Sequence, residues 1–372
     1  MPPRMTVERT ESRTSTVPGT DQPHEHLPRL LDYVAKWATA EVLRGLLSFP
    51  ELHSALAGGV TEDELCDIGT ASNRQFRSLL QALEVEGIAA EASGVWSLTE
   101  FGSAATGTLI GWFDIFLSGY GEYFRNARAL WAGEPDPRWR DMRSVGTSSV
   151  NISRHGALPL VARLIDRYQA DASLVVDVGC ADATYLVELC SSCPGLTGIG
   201  VEPAEQLRTD AQDLIARSGL GHRITLVDSI ASLTSQEIHP DFFVFGFSLH
   251  ELVEQTGRAA VIELLREIAR EHPAARLLVA EADYSARSDV EAMTHDPHLR
   301  GYYNYYYMLH DFTDQILLTR PEWRDLFDEA GLTIIEERAI DPEYDPTGME
   351  IVFVLAQGLE SGVAPNVWRG KP

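Results

Sequence analysis

The sequence predicts an α/β protein in which an open, mostly parallel sheet follows a smaller helical domain. Two observations predict the sheet. From about residue 169, short apolar runs alternate with amphipathic helical stretches, and the first three runs each end in an acidic residue. Wholly apolar runs are typical of strands that helices cover on both faces. A third observation predicts the separate domain: residues 27–106 show helical periodicity followed by a hairpin pattern.

Composition limits the classes of function. The 372 residues carry a formal net charge of −25, which opposes binding to nucleic acid or to an anionic membrane surface. Lys36 and Lys371 are the only lysines, so a catalytic lysine is nearly excluded. The sequence shows neither an apolar run long enough to span a bilayer nor a signal peptide, and we expect a cytoplasmic protein. Cys190 and Cys193 have no second cysteine pair to complete a zinc knuckle, and we expect buried thiols.

The N-terminal domain reads as helices followed by a hairpin. Residues 1–26 have little to bury, and we expect them to be disordered. Helical periodicity covers residues 27–56, two shorter helices follow Thr61 and Ser72, and residues 87–98 alternate as a hairpin. This order is typical of a winged-helix domain.

A winged helix often binds DNA, but the charges of this one argue against it. The helix in the recognition position carries Arg74 and Arg77, and Glu84 and Glu86 offset them. The domain is acidic as a whole, so a phosphate backbone would not be attracted. The next segment, residues 107–168, is rich in aromatic residues, and we expect helices that link the two domains and roof a pocket. The tail, residues 359–372, looks loose.

Polar residues end three successive predicted strands, which indicates a nucleoside site at one edge of the sheet. Asp177 ends the first strand, and the small residues after it form a turn that lets a ligand approach the backbone and the next helix. Glu202 is positioned to bind ribose hydroxyls, and Asp228 and Ser229 to reach an adenine. The predicted cofactor contacts are Asp177, Gly179, Cys180, Ala181, Glu202, Pro203, Asp228, Ser229 and Phe247.

This order of motifs resembles the class I S-adenosylmethionine-dependent methyltransferases. The resemblance implies S-adenosylmethionine as cofactor, and it implies that the winged helix is a dimerisation domain, so we expect a homodimer. A nicotinamide fingerprint would need G-x-G-x-x-G, of which only Gly179 is present. The chain has Ala181 and Ala183 where the family usually has glycine, which is costly wherever the backbone needs a positive φ.

His250 and Glu251 follow the fourth strand, where open sheets place functional residues. This position suggests a general base, and plant-type O-methyltransferases have a histidine–acid pair at the same point. His295 and His310 lie in the insert after the fifth strand. Three imidazoles that converge on one pocket would bind Zn²⁺ or Fe²⁺ and leave positions open for substrate. We therefore predict a metal site formed by His250, His295 and His310.

Ser248-Leu-His250 and Leu309-His310-Asp311 resemble motifs of the 2-oxo acid C-methyltransferases, which include 2-ketoarginine and phenylpyruvate methyltransferases. Residues 145–160 look most like the 2-ketoarginine group. The resemblance implies methylation of the carbon beside the ketone of a 2-oxo acid, with a metal that stabilises the enolate. The proton acceptor is left open among metal-bound hydroxide, Asp311, Glu251 and an unligated histidine.

Substrate contacts are less defined by the sequence. Arg154 is a candidate partner for the substrate carboxylate, and Tyr303, within the tyrosine cluster 302–307, for the pocket wall. A guanidinium group on the substrate would bind carboxylates, and the candidates are Asp283, Asp289 and Asp296. Two alternatives remain: an O-methyltransferase that uses His250 as base without a metal, and a winged-helix regulator with a degenerate cofactor fold.

Overall fold

The computed structural model describes residues 23–69, 71–169, 171–234, 238–313 and 315–358, so the predictions for residues 1–22 and 359–372 lie outside the described residues. The chain divides into two compact units, Met1–Ser103 and Ala104–Pro372. Within the described ranges, no helix is long and apolar enough to cross a membrane.

The described part of the first unit contains four helices, a small sheet and the start of a fifth helix. Pro23–His26 form a 3₁₀ turn, although the sequence assigned them to a disordered segment. Strands β1 (Val60–Thr61), β2 (Ala89–Ala92) and β3 (Val95–Leu98) pair antiparallel in the order β1-β3-β2. The predicted order of helices followed by a hairpin is therefore present. The helices are α1 (Leu27–Leu47), α2 (Pro50–Gly58), α3 (Glu62–Ile68) and α4 (Asn73–Val85).

Local sequence explains where these helices begin. Thr61 accepts a hydrogen bond from the Glu64 amide, and the Glu64 side chain binds the Thr61 amide, a capping box that starts α3. Ser72 and Gln75 start α4 in the same way. The single helical period predicted over residues 27–56 is divided between α1 and α2, since Pro50 occupies the first position of the second helix.

The second unit is built on a seven-stranded sheet of order β6-β5-β4-β7-β8-β10-β9. Five strands are parallel, and β10 and β9 complete one edge antiparallel. Apolar clusters cover both faces of the sheet, which explains the continuous apolar runs. The strands are β4 (Leu174–Val178), β5 (Thr197–Val201), β6 (Ile224–Val227), β7 (Phe242–Gly246), β8 (Arg276–Ala282), β9 (Leu332–Ala339) and β10 (Glu350–Gln357).

Helices connect the strands and form the cover over the sheet edge. The helix α5 (Glu100–Thr106) precedes the aromatic segment, and α6 to α10 lie at Ile110–Asp114, Gly121–Arg125, Ala127–Trp131, Met142–Ser153 and Ala157–Tyr168. Those that follow, α11 to α18, are Thr184–Ser192, Glu205–Ser218, Ala231–Thr234, Leu249–Thr256, Arg258–Glu271, Val290–His295, Asn304–Phe312 and Arg320–Glu329.

Two π-helical turns, Ile115–Gly119 and Leu299–Tyr303, interrupt this cover. Such turns are rare and frequently lie at functional sites. The first packs in a buried aromatic cluster that includes Tyr120, Tyr123 and Leu309. The segment 107–168, predicted to roof a pocket, thus packs on the insert that carries His310.

Candidate active site

A cavity of about 420 Å³ lies at the carboxyl ends of β4, β5 and β7. This is the edge where an open parallel sheet binds its ligand. The cavity wall contains seven of the nine residues predicted to bind the cofactor: Asp177, Gly179, Cys180, Ala181, Glu202, Pro203 and Phe247. Asp228 and Ser229 follow β6 but are not in this wall, and their side chains hydrogen-bond each other.

Asp177 is a buried carboxyl group in the wall of this cavity, and its Oδ2 atom has no hydrogen-bond partner among the described residues. Burial, together with the nearby charge of Glu202, raises the pKa of Asp177 to about 7. A buried acceptor without a partner is costly. Asp177 therefore fits a ligand that brings a cation or a hydrogen-bond donor, such as the ammonium group of S-adenosylmethionine.

Glu202 lies at the end of β5 and shapes the same turn. Its carboxylate accepts hydrogen bonds from the Ala181 amide at 3.2 Å and the Ala204 amide at 2.8 Å. These two bonds hold the carboxylate between the turn after β4 and the helix α12. An acidic residue in this position can also accept hydrogen bonds from ribose hydroxyls.

The turn after β4 has a left-handed backbone at three positions. Gly179 has a φ of 79°, Ala181 of 46° and Ala183 of 60°. The two alanines thus adopt the conformation that favours glycine, at a cost of roughly 1–2 kcal/mol each. A Cβ atom on Gly179 would lie 3.0 Å from the Ser248 Cβ, so a side chain there would crowd the adjoining strand end. The backbone of this turn is therefore accessible to a ligand, as the binding of S-adenosylmethionine would require.

A second, narrow pocket of about 40 Å³ adjoins the cavity. The two share five wall residues: Val145, Ser149, Ser153, Phe247 and Glu251. The other walls include His250, Glu350 and three tyrosines of the insert: Tyr302, Tyr303 and Tyr306. Tyr303 is fully buried, and its hydroxyl has no hydrogen-bond partner in the part of the chain that the structure describes. We refer to this space as the inner pocket.

His250 is the second residue of α14 and is 4% exposed. Its Nδ1 atom lies 2.8 Å from Oε2 of Glu281, a fully buried residue of β8. Oε1 of Glu281 accepts hydrogen bonds from the amides of Leu249 and His250. Burial opposes a charge on His250, but the charge and hydrogen bond of Glu281 outweigh it, and the pKa of His250 is raised.

His310 is fully buried in α17, and its ring centroid lies 6.0 Å from that of His250. The Nδ1 atom of His310 lies 2.7 Å from the Tyr306 carbonyl oxygen. Burial, and then the neighbouring His250, lower the pKa of His310 to about 3, so the ring is neutral near pH 7. Since Nδ1 of both histidines is hydrogen-bonded, Nε2 is the nitrogen that remains for a ligand on each ring.

The predicted three-histidine set is not assembled. His295 is exposed at the end of α16, where its Nδ1 atom lies 2.8 Å from the Glu291 carbonyl oxygen. Among the described residues, no group of three or more histidine, cysteine, aspartate or glutamate side chains is arranged to hold a metal ion. The physical reason is that α16 ends before the chain turns into the buried part of the insert.

Two further predicted residues lie away from the pocket walls. Asp311 is exposed and accepts hydrogen bonds from the Tyr284 hydroxyl at 2.5 Å and from Arg287 at 3.3 Å. Arg154 forms a 2.8 Å ion pair with Glu188, and neither the cavity nor the inner pocket includes it. By contrast, Glu251 lines both spaces, as expected of a residue next to His250.

Sequence analysis missed three charged residues of the site. Arg140 lines the cofactor cavity, mostly buried, 3.6 Å from Glu254. Glu281 and Glu350 lie at the ends of β8 and β10, next to long apolar runs. A single carboxylate at the edge of an otherwise buried strand is a usable signal, because a buried charge needs a specific role or partner. Arg140 carries no such signal, since it lies in an irregular polar stretch.

Comparisons with known proteins identify relatives of this chain. No family model matches the chain. A 2-ketoarginine methyltransferase from Streptomyces arginensis is 35% identical over 282 residues, which cover 75% of this chain and 80% of that protein.

Solved structures show the same fold. An O-methyltransferase family protein from Burkholderia thailandensis has a TM-score of 0.60 at 15% identity, covering 89% of this chain and 98% of its own. A putative O-methyltransferase from Nostoc punctiforme has a TM-score of 0.61 at 14% identity, with coverages of 89% and 99%. The predicted fold class is confirmed. The chain therefore belongs to the family of class I, S-adenosylmethionine-dependent methyltransferases that includes the 2-ketoarginine methyltransferase of Streptomyces arginensis.

Proposed function

We propose that this enzyme transfers the methyl group of S-adenosylmethionine to the carbon next to the ketone of a 2-oxo acid. The observation that carries the proposal is the buried pair of His250 and His310, of which His250 lines the inner pocket and His310 lies behind it, outside both pocket walls. On each ring Nδ1 is hydrogen-bonded, and Nε2 is the nitrogen that remains for a ligand. The similarity to the 2-ketoarginine methyltransferase of Streptomyces arginensis supports a 2-oxo acid as the class of substrate.

The two histidines suit a divalent metal such as Zn²⁺ or Fe²⁺. Both rings are buried, His310 is neutral near pH 7, and the Nδ1 atom of each is held by an oxygen, as in metal-binding histidines. His295 is not part of this pair, so the remaining ligands would come from substrate or water. When bound, the metal would act as a Lewis acid that makes the carbon beside the ketone more acidic.

The protein's own residues would perform the remaining steps. Glu281 orients the His250 ring, and Arg140, rather than Arg154, is the arginine of the cavity wall that can bind the substrate carboxylate. Glu251 lines both spaces and accepts the proton as the C–H bond breaks. The carbon then forms a bond to the sulfonium methyl, the S–CH₃ bond breaks, and neutral S-adenosylhomocysteine leaves. The turn after β4 and Glu202 hold the cofactor for this transfer.

One observation favours a second candidate, O-methylation without a metal. The buried pair of His250 and Glu281, 2.8 Å apart, has the form of a general base oriented by a carboxylate. In that reaction, His250 would remove the proton of a substrate hydroxyl. His310 would then serve as a structural neighbour only.

A substrate screen tests the two candidates. The purified enzyme is supplied with S-adenosylmethionine and with panels of 2-oxo acids and of phenols, with and without a chelator. We expect a methyl group on carbon, identified by NMR of the product, and loss of activity with chelator. A product methylated only on oxygen, formed equally well with chelator, would establish the second candidate instead.

We also propose that the N-terminal unit forms a homodimer. The helix α1 exposes apolar side chains at helical spacing, among them Leu30, Val34 and Trp37, the last 66% exposed. Exposed apolar faces of this kind mark interfaces, and a second copy carries the same face. Light scattering of the full chain should give a dimer at micromolar concentration, and Trp37→Glu should shift it toward monomer. A monomeric wild-type chain would contradict the proposal.

A further inference from the structure

Glu350 is a buried carboxyl group in the wall of the inner pocket. It is the first residue of β10, is 6% exposed, and pairs in register with Ala282 of β8. Ala282 directly follows Glu281, which holds His250, and both Ala282 and His250 also line the pocket. Glu350 therefore shares a small space with the proposed reaction centre.

No cation of the described residues neutralises this carboxyl group. Glu350 forms no ion pair with any arginine, lysine or histidine in the described part of the chain, and the charged group that acts on it most is Asp345, another carboxylate. Burial and then Asp345 raise the pKa of Glu350 to about 8. The Tyr303 hydroxyl lies beside Glu350 and lowers that pKa, yet Tyr303 Oη has no hydrogen-bond partner of good geometry within the described ranges.

Asp345 has a structural role that Glu350 lacks. Oδ1 of Asp345 accepts the Thr347 amide, and Oδ2 accepts the Glu350 amide at 2.8 Å. These bonds fix the loop before β10 and set the start of the strand. The Glu350 side chain is thus presented to the pocket by a rigid connection, while the side chain itself remains available.

The aspartates that the sequence suggested as partners of a guanidinium group already have hydrogen-bond or ion-pair partners within the protein. Asp283 accepts hydrogen bonds from Ser285 and pairs with Arg320 at 3.3 Å. Asp289 caps α16 through the Ala292 amide, and Asp296 accepts the His298 and Leu299 amides. None of the three lines the inner pocket. That expectation was wrong because each residue satisfies backbone donors at a local turn.

We propose that Glu350 selects a 2-oxo acid whose side chain ends in a guanidinium group, which it binds as the counter-charge. The inference rests on the proposed methylation of a 2-oxo acid. A guanidinium offers parallel N–H donors that match a carboxylate, and its positive charge would favour the ionised form of Glu350. The rings of Tyr302 and Tyr306 lie in the same wall, 5.5 Å apart, and can contact a planar cation.

The test compares a charged substrate with its neutral isostere. The probes are 5-guanidino-2-oxopentanoate and 5-ureido-2-oxopentanoate. The ureido compound has a carbonyl oxygen in place of one guanidinium nitrogen, so its side chain is neutral. The wild-type enzyme should prefer the guanidino compound in kcat/KM by at least roughly 30-fold, the low end expected for a buried charged pair. Glu350→Gln should lose that preference because its kcat/KM falls for the guanidino compound and is retained for the ureido compound.

The control is Glu343→Gln, an exposed carboxylate in the same loop, which should keep the wild-type preference. Melting temperature and S-adenosylmethionine binding establish that each variant is folded. A wild-type enzyme that methylates both probes equally well would overturn the role of Glu350, even if Glu350→Gln fails to fold. A Glu350→Gln enzyme with the wild-type preference would overturn it too. Failure of the proposed function is distinct, because the wild type would then methylate no 2-oxo acid on carbon.

Discussion

Replacing Glu281 by glutamine tests whether the orientation of His250 is needed for catalysis. A carboxylate accepts hydrogen bonds, so in the neutral ring of His250 the 2.8 Å contact places the proton on Nδ1 and leaves the lone pair on Nε2. The same carboxylate accepts the amides of Leu249 and His250 at 2.9 Å and 3.0 Å. A glutamine oxygen can keep those two bonds only by turning its NH₂ group toward Nδ1.

That change would reverse the tautomer of His250. With a donor facing Nδ1, the ring proton moves to Nε2, and the nitrogen needed for a metal or for a substrate proton is blocked. Loss of a second-sphere partner typically lowers metal affinity 10- to 100-fold, and loss of a general base lowers rate 10²- to 10⁴-fold. We expect kcat/KM to fall by about 100-fold and unfolding free energy by about 1–3 kcal/mol. Cofactor affinity should stay within about twofold, because Glu281 is not in the cavity wall.

Three measurements on Glu281→Gln distinguish a changed tautomer of His250 from a general loss of structure. They are kcat/KM on the best substrate, the ¹⁵N chemical shifts of the His250 ring, and calorimetric titration of S-adenosylmethionine. Glu267→Gln, an exposed change on α15, serves as the control and should resemble wild type. Wild-type kcat/KM in Glu281→Gln, or an unchanged tautomer together with lost activity, would refute the reasoning.

Two further predictions concern the cofactor. Glu202→Ala should weaken S-adenosylmethionine binding at least about tenfold, because hydrogen bonds to charged groups contribute roughly 1.5–3 kcal/mol; unchanged affinity in a calorimetric titration would reject the ribose role. The raised pKa of Asp177, about 7, leaves its carboxyl neutral below that pH, whereas the cofactor's ammonium group favours the ionised form. Affinity should therefore rise between pH 6 and pH 8 with release of a proton, and Asp177→Asn should abolish this dependence; an unchanged pH profile in the variant would contradict it.

The same raised pKa affects stability with a defined sign. Since the folded protein without cofactor holds the Asp177 proton more tightly than the unfolded chain does, this group makes the fold less stable as the pH rises from the ordinary carboxyl range toward 7. A cofactor cation offsets that loss. The cofactor-free enzyme should therefore gain more thermal stability from S-adenosylmethionine at pH 8 than at pH 6.

The fold could be predicted because each strand of the sheet carries a local signal. The apolar run Leu174–Val176, the acidic Asp177 after it and the small residues of the turn are contiguous in sequence, so they reveal both the strand and the cofactor edge. The positions of Ala181 and Ala183 show the limit of such local signals. These two alanines have left-handed, glycine-like backbone angles in the folded turn, and the residue type at neither position predicts them.

The reaction centre was harder to predict, since its residues meet through the fold. His250 and His310 could be singled out by motif, but the sequence could not decide whether His295 joined them, because that depends on where α16 ends. Glu281 and Glu350 become partners of the site through the pairing of β8 with β10, a contact between residues about 70 positions apart. The sequence also suggested three aspartates as partners of a guanidinium group, and the structure shows that they accept hydrogen bonds from backbone amides at local turns instead. They are Asp283, Asp289 and Asp296.

The most direct test of the central claim is metal content and C-methylation measured on the same three variants: His250→Ala, His310→Ala and His295→Ala. If the buried pair holds the metal, the first two should lose bound metal and C-methylation together while still binding S-adenosylmethionine. His295→Ala should keep both, because that side chain is exposed and away from the pair. A fully active His310→Ala enzyme, or an active wild type that contains no metal, would contradict the account.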